Sequence, residues 1–173
     1  MVIFKTLKVF NSKNAIKNTI LDRTSIKGDI IFGQQSIKAQ TGIFSRPTTD
    51  FDIFTSKPKQ SAFEMEKKLD RVVGFDNFFT KPALHPGTWK VISKGNDFKA
   101  NTKDDIGIID YSGFPKPKPK TVNIKGVMFR RLSEEVAAKK RAIADPEFEF
   151  RKEKDSRDLS RVKLFKETNK FRF

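Results

Sequence analysis

The sequence predicts an α/β (α+β) protein, strands alternating with helices, with further helices toward the C-terminus and extended basic-aromatic tails. Three observations carry this expectation. Short apolar runs of strand length alternate with helical patterns, glycines punctuate the segments, and 18 Phe among 36% hydrophobic residues can fill one modest core in 173 residues.

Ile16, Ile20 and Leu21 stand at helical spacing behind Ser12, a candidate N-cap, which predicts an amphipathic helix over 11–23, with Gly28 closing the next turn. The run 29–32 is a strand stopped by Gly33, and 35–41 is a short helix before Gly42. Residues 45–49 have loop chemistry. Over 50–54 polar and apolar side chains alternate with the period of a strand, so Asp50 and Asp52 share one face. Pro58 favours a helix start, and the helix runs to Val73 with Phe63, Leu69 and Val72 or Val73 toward the core and Gly74 as its stop.

Segments 88–93 and 106–111 are strands of a hairpin with the polar stretch 94–105 as its long tip. Three prolines and three lysines make 114–120 an extended, polyproline-like spacer. Strand-like alternation over 121–131 is interrupted by Gly126. Leu132 opens a helix to Ala144, with Glu134 and Glu135 in its first turn and Lys139, Lys140 and Arg141 near its end, matching the helix dipole. Pro146 breaks it, and a last helix over 152–166 sets Leu159, Val162 and Phe165 on one side. The expected division is a tail and helix over 1–25, a main domain over 26–162 and a tail over 163–173.

Thirty-six Lys and Arg against 21 Asp and Glu give a net charge of +15, which attracts polyanions at long range and loses that attraction in salt. Nucleic acid is the first partner to expect. The absence of Cys excludes disulfides, thiolate zinc sites and Cys nucleophiles, and the lone His85 excludes a multi-histidine metal site. The chain lacks an apolar run of the roughly 18 residues that cross a bilayer, and lysines interrupt its apolar start, so a soluble, unprocessed, cytoplasmic protein with no membrane partner is expected. Both ends, 1–10 and 164–173, mix aromatic and basic residues and offer a surface for a protein partner.

Asp50 and Asp52 point the same way and repel unless a cation lies between them, and a hard divalent ion takes such oxygen donors. Asp110, at the end of the apolar run 106–109, is the best third carboxylate. A bare pair at this spacing also suits the solvent face of an edge strand, so the surrounding order matters. Phe32-Gly33-Gln34-Gln35-Ser36 comes first, then Arg46-Pro47-Thr48-Thr49-Asp50-Phe51-Asp52-Ile53, then Ile108-Ile109-Asp110-Tyr111.

That order resembles the polymerase-beta-like nucleotidyltransferase superfamily, in particular its minimal and abortive-infection toxin types. The family has a strand ending in glycine, a short helix, an Arg-Pro-Thr-like loop, an Asp-x-Asp strand and a later strand with a third Asp. The likeness runs over about 26–162 and includes a lysine-bearing helix over 132–144 and a charged cluster at 151–159.

The resemblance implies a nucleotidyltransferase-like mixed sheet flanked by helices, in which Asp50, Asp52 and Asp110 hold Mg2+ or Mn2+, with Asp110 also helping to activate an attacking hydroxyl. It implies that Gly33, Gln34 and Ser36 approach a nucleoside triphosphate, and that Arg46, Lys139, Lys140 and Lys154 neutralise phosphate charge. Asp155 and Asp158 are expected to organise the last helix. Gln34 stands where the family prefers Gly or Ser. Two functions follow. One is transfer of a nucleoside monophosphate from an NTP to an RNA or protein acceptor, with RNA favoured by the charge. The other is a nucleotidyltransferase-like binding or structural component of a nucleoprotein or virus particle, favoured by Gln34 and the tails. A hydrolase using Asp residues is a distant third, because no His, Cys or Ser constellation supports nucleophilic catalysis.

Overall fold

The computed structural model describes residues 11–43 and 50–169; Arg46 and the outer tails lie outside them. In chain order the elements are α1 (Lys13–Lys27), β1 (Ile30–Phe32), α2 (Gly33–Thr41), β2 (Phe51–Thr55), α3 (Pro58–Val73), β3 (Phe78–Pro82), β4 (Trp89–Ser93), β5 (Ile106–Gly113), β6 (Thr121–Ile124), β7 (Val127–Arg130), α4 (Leu132–Ala144), a 3-10 turn (Pro146–Arg151) and α5 (Lys152–Thr168). The expected mixed sheet flanked by helices is what forms. It has seven strands in the order β3-β4-β5-β2-β1-β7-β6. β2 runs parallel to β5 and β1 parallel to β7, and the other neighbours are antiparallel.

One face of the sheet makes the core. Ile31, Ile53, Ile109, Tyr111 and Phe129 pack there against Ile20 of α1 and Ala62, Met65, Leu69 and Val73 of α3. Those α3 positions follow the 3-4-4 spacing of an apolar helical stripe. Phe63 falls off the stripe and is 39% exposed, so its expected core position is corrected: it packs on Trp89 at the sheet edge, ring centroids 5.6 Å apart. α2 sits on the other side, beside β1, β2 and β7, and carries α4 and α5.

Helix α3 ends at Gly74 as expected, whereas α1 runs on past the expected end at residue 23 to Lys27, so that Gly28 caps the helix rather than closing a separate turn; both glycines are left-handed. The interruption at Gly126 is a tight hairpin turn, with Lys125 and Gly126 both at positive φ, which joins β6 to β7. β3 was not foreseen; five residues ending in proline carry little alternation, and its place is set by pairing with β4.

Candidate active site

The site grows from the ends of β1, β2 and β5. Antiparallel pairing sets Phe32 opposite Asp52, and parallel pairing sets Asp52 opposite Asp110. Opposed residues on paired strands project to the same side. Asp52 and Asp110 therefore lie on the face away from the apolar core, and Asp50, two residues back, leads the same edge in an exposed position. Gln35 Nε2 donates to the Asp50 carbonyl at 3.2 Å and ties that strand entry to α2.

Gly33 opens α2 at φ +69°, a conformation that suits glycine. A Cβ there would stand 2.3 Å from Asp52 Oδ2, so the missing side chain is the space the carboxylate occupies. Burial, then the like charges of Asp50 and Asp110, push the Asp52 carboxyl up to about 6, with Lys154 opposing and Glu135 adding to the rise. Asp110 is held by Lys90, Nζ to Oδ2 at 3.0 Å.

Glu135, fully buried in the first turn of α4, organises the wall behind Asp52. Its Oε1 accepts from the Gly33 N–H at 2.8 Å and from Arg130 Nε at 2.8 Å, and Arg130 Nη2 also donates to Oε2. Burial pushes the Glu135 carboxyl up, and Arg130 resists the shift. The Arg130 guanidinium lies 5.2 Å from the centre of the Phe32 ring, which stacks on Phe54.

The sequence-derived site residues divide. Asp50, Asp52, Asp110, Gly33 and Lys154 share one neighbourhood, linked by register, contact and charge. Gln34 is buried in the first turn of α2 rather than presented to solvent. The Ser36 hydroxyl donates to the Arg130 carbonyl at 2.6 Å and joins α2 to β7. Lys139 is buried between Asp155 and Asp158, at 2.7 Å from each, so those aspartates do organise α5 against α4. Lys140 is exposed, beside a hollow between α4 and α5. Arg46 lies outside the described residues.

Glu135, Arg130 and Lys90 were not read as site residues from sequence. The first resembled a dipole-matching acid of a helix start, while Lys90 was detectable only by aligning the two hairpin strands.

The donor chemistry fits a hard divalent ion: carboxylate oxygens on neighbouring strands, with Asp52 under like-charge repulsion. Among the described residues no three acids stand grouped as a metal cage, and Asp110 is engaged by Lys90.

No protein-family pattern matches the chain, and no curated protein matches it in sequence. In fold it is similar to the Megavirus polyadenylate synthase, at 18% identity and a TM-score of 0.67, over 91% of this chain and 34% of that one. It is also similar to JHP933 from Helicobacter pylori, at 12% identity and a TM-score of 0.54, over 86% of this chain and 63% of that one. The chain thus has a nucleotidyltransferase-like fold. It spans about a third of the length of the Megavirus protein and under two thirds of JHP933.

Proposed function

We propose that this chain is a nucleotidyltransferase module dependent on Mg2+ or Mn2+, moving a nucleoside monophosphate from an NTP to an RNA or protein acceptor. The observation that carries the reading is the parallel register of Asp52 with Asp110, backed by a glycine whose missing side chain makes room for the Asp52 carboxylate. The polyadenylate synthase among its fold neighbours favours nucleotidyl transfer, and the charge of +15 favours RNA as acceptor.

Asp50, Asp52 and Asp110 would hold the ion, which when bound neutralises phosphate charge and orients the triphosphate. Asp110 would also accept the proton of the acceptor hydroxyl as that oxygen attacks the α-phosphorus and pyrophosphate leaves. Lys154, whose charge opposes the rise at Asp52, would meet phosphate charge. Lys139 acts at one remove: clamped by Asp155 and Asp158, it fixes the helix that begins just before Lys154. Glu135 keeps Gly33 against the acid.

Labelled NTPs with total RNA or with protein acceptors test this directly. Wild type should incorporate label only with the divalent ion, and the Asp50→Ala, Asp52→Ala double variant should not. If both proteins give the same background with every nucleotide and both acceptor classes, transfer is ruled out.

A second reading, a nucleic-acid-binding structural component, is favoured by the engagement of Asp110 with Lys90 and of the Gly33 N–H with Glu135. It predicts strong, salt-sensitive binding to RNA or DNA without turnover. Affinity unchanged between low and physiological salt would rule it out.

A further inference from the structure

On the sheet face that bears the carboxylates, the aligned positions run Lys81, Lys90, Asp110, Asp52 across β3, β4, β5 and β2. Two lysines thus continue the row of acids toward the edge strand. Lys90 closes on Asp110 at 3.0 Å, with the two side chains 35% and 28% exposed. Beyond the pair lies an open groove of about 440 Å³, bounded by Lys81, Lys90, Ile92, Asn101, Thr102 and Asp105. The wall's one acid, Asp105, accepts from the Thr102 N–H at 3.1 Å.

An ion pair this exposed is weak and exchangeable. A divalent ion held by the acids competes for the same Asp110 oxygens and repels the ammonium beside them. Lys90 cannot move far, because β4 lies between β3 and β5. Its flexible stem can instead turn the ammonium to the groove it already borders, next to Lys81. Two ammonium groups on adjacent strands, one step from the third carboxylate, suit the phosphates of a strand whose terminal hydroxyl reaches Asp110.

We propose that Lys90 is an exchangeable cation, closed on Asp110 while the acids hold no divalent ion and turned with Lys81 onto a backbone phosphate of a nucleic-acid acceptor once they do. This rests on the reading that Asp110 helps hold the ion. Metal loading and acceptor binding are then coupled through one side chain, and an acceptor is gripped fully only by a loaded site.

The test uses the full chain without NTP. Mn2+ alone is titrated calorimetrically and by the fluorescence of Trp89, the only tryptophan and the neighbour of Lys90. Lys90→Met, and Lys90→Gln as a second neutral variant, should bind Mn2+ roughly threefold to tenfold tighter than wild type, and Lys90→Arg should stay within about twofold. A fluorescent single-stranded RNA of roughly 15 nucleotides is then titrated against salt, with Mn2+ or with chelator.

Lys81→Met should weaken RNA binding and lower the salt slope by about one unit in both conditions, while Lys90→Met should do so only with Mn2+. Unchanged or weaker Mn2+ binding by both neutral variants overturns the proposal, as does an equal loss of RNA affinity with and without Mn2+, or no RNA binding at all. If Asp52→Ala leaves Mn2+ binding intact, the metal-site reading itself fails. If Mn2+ binding depends on Asp52 but ignores Lys90, only the exchange fails.

Discussion

Asp52→Asn should make the metal-free protein more stable while abolishing the proposed metal-dependent transfer. The wild-type carboxyl is pushed up to about 6 from an ordinary 3.8, first by burial and then by Asp50 and Asp110. A displacement of about two units corresponds to roughly 3 kcal/mol against the ionised form, at about 1.4 kcal/mol per unit. Asparagine keeps the shape beside Gly33 and removes the charge.

The sign follows from the raised value. Ionised Asp52 burdens the folded state above pH 6, and the burden fades as the pH falls from about 6 toward 4, where wild type is protonated as well. Urea melts with chelator should therefore show the variant about 3 kcal/mol more stable at pH 8, equivalent to a rise in Tm of roughly 6–12 °C for a chain of this size, and nearly equal to wild type near pH 4. A variant no more stable at pH 8, or one whose advantage is the same at both pH values, would refute the reasoning. Stability withheld at an acid cluster and returned by a bound cation is a common feature of functional sites.

Other substitutions probe the supports of the site. Gly33→Ala forces a Cβ against Asp52 Oδ2 at positive φ and should cost about 1–2 kcal/mol in urea melts, with loss of metal-dependent transfer. Lys139→Met removes the buried cation that Asp155 and Asp158 share, with Arg151 at 3.5 Å still facing Asp155; about 3–5 kcal/mol should be lost at pH 7, with α5 exchanging amide protons faster than the sheet. Arg23→Met, against Tyr111 on the sheet face opposite Asp52 and Asp110, strips Asp29 of its buried partner and should destabilise by a similar amount while leaving Mn2+ affinity within about twofold, as calorimetry on the folded fraction would show.

The local signals in the chain were legible because they are local. Alternation at 50–54 put Asp50 and Asp52 on one face, Gly74 ended α3, and charges placed α4 from Leu132 to Ala144, while the last turn of α1, beyond residue 23, was missed. Phe63 misled because it is the larger apolar side chain beside Ala62; the stripe that packs is Ala62, Met65, Leu69 and Val73, which leaves Phe63 at the sheet edge on Trp89. Lys139 misled in a similar way. A lysine near the end of a helix has the same pattern whether it meets solvent or two buried aspartates on another helix.

By itself, then, the sequence determined the order of the parts: the glycine turn, the paired aspartates, the third aspartate and the basic helices, each written in the spacing of neighbouring residues. Tertiary structure alone decided which strands are neighbours, that Asp52 stands opposite Asp110, that Glu135 holds Gly33, and that Lys90 occupies Asp110. Parallel register has no local signature, since it is selected by the packing of the whole sheet against α1 and α3. The partner of a charge is likewise selected by the fold that brings distant segments together.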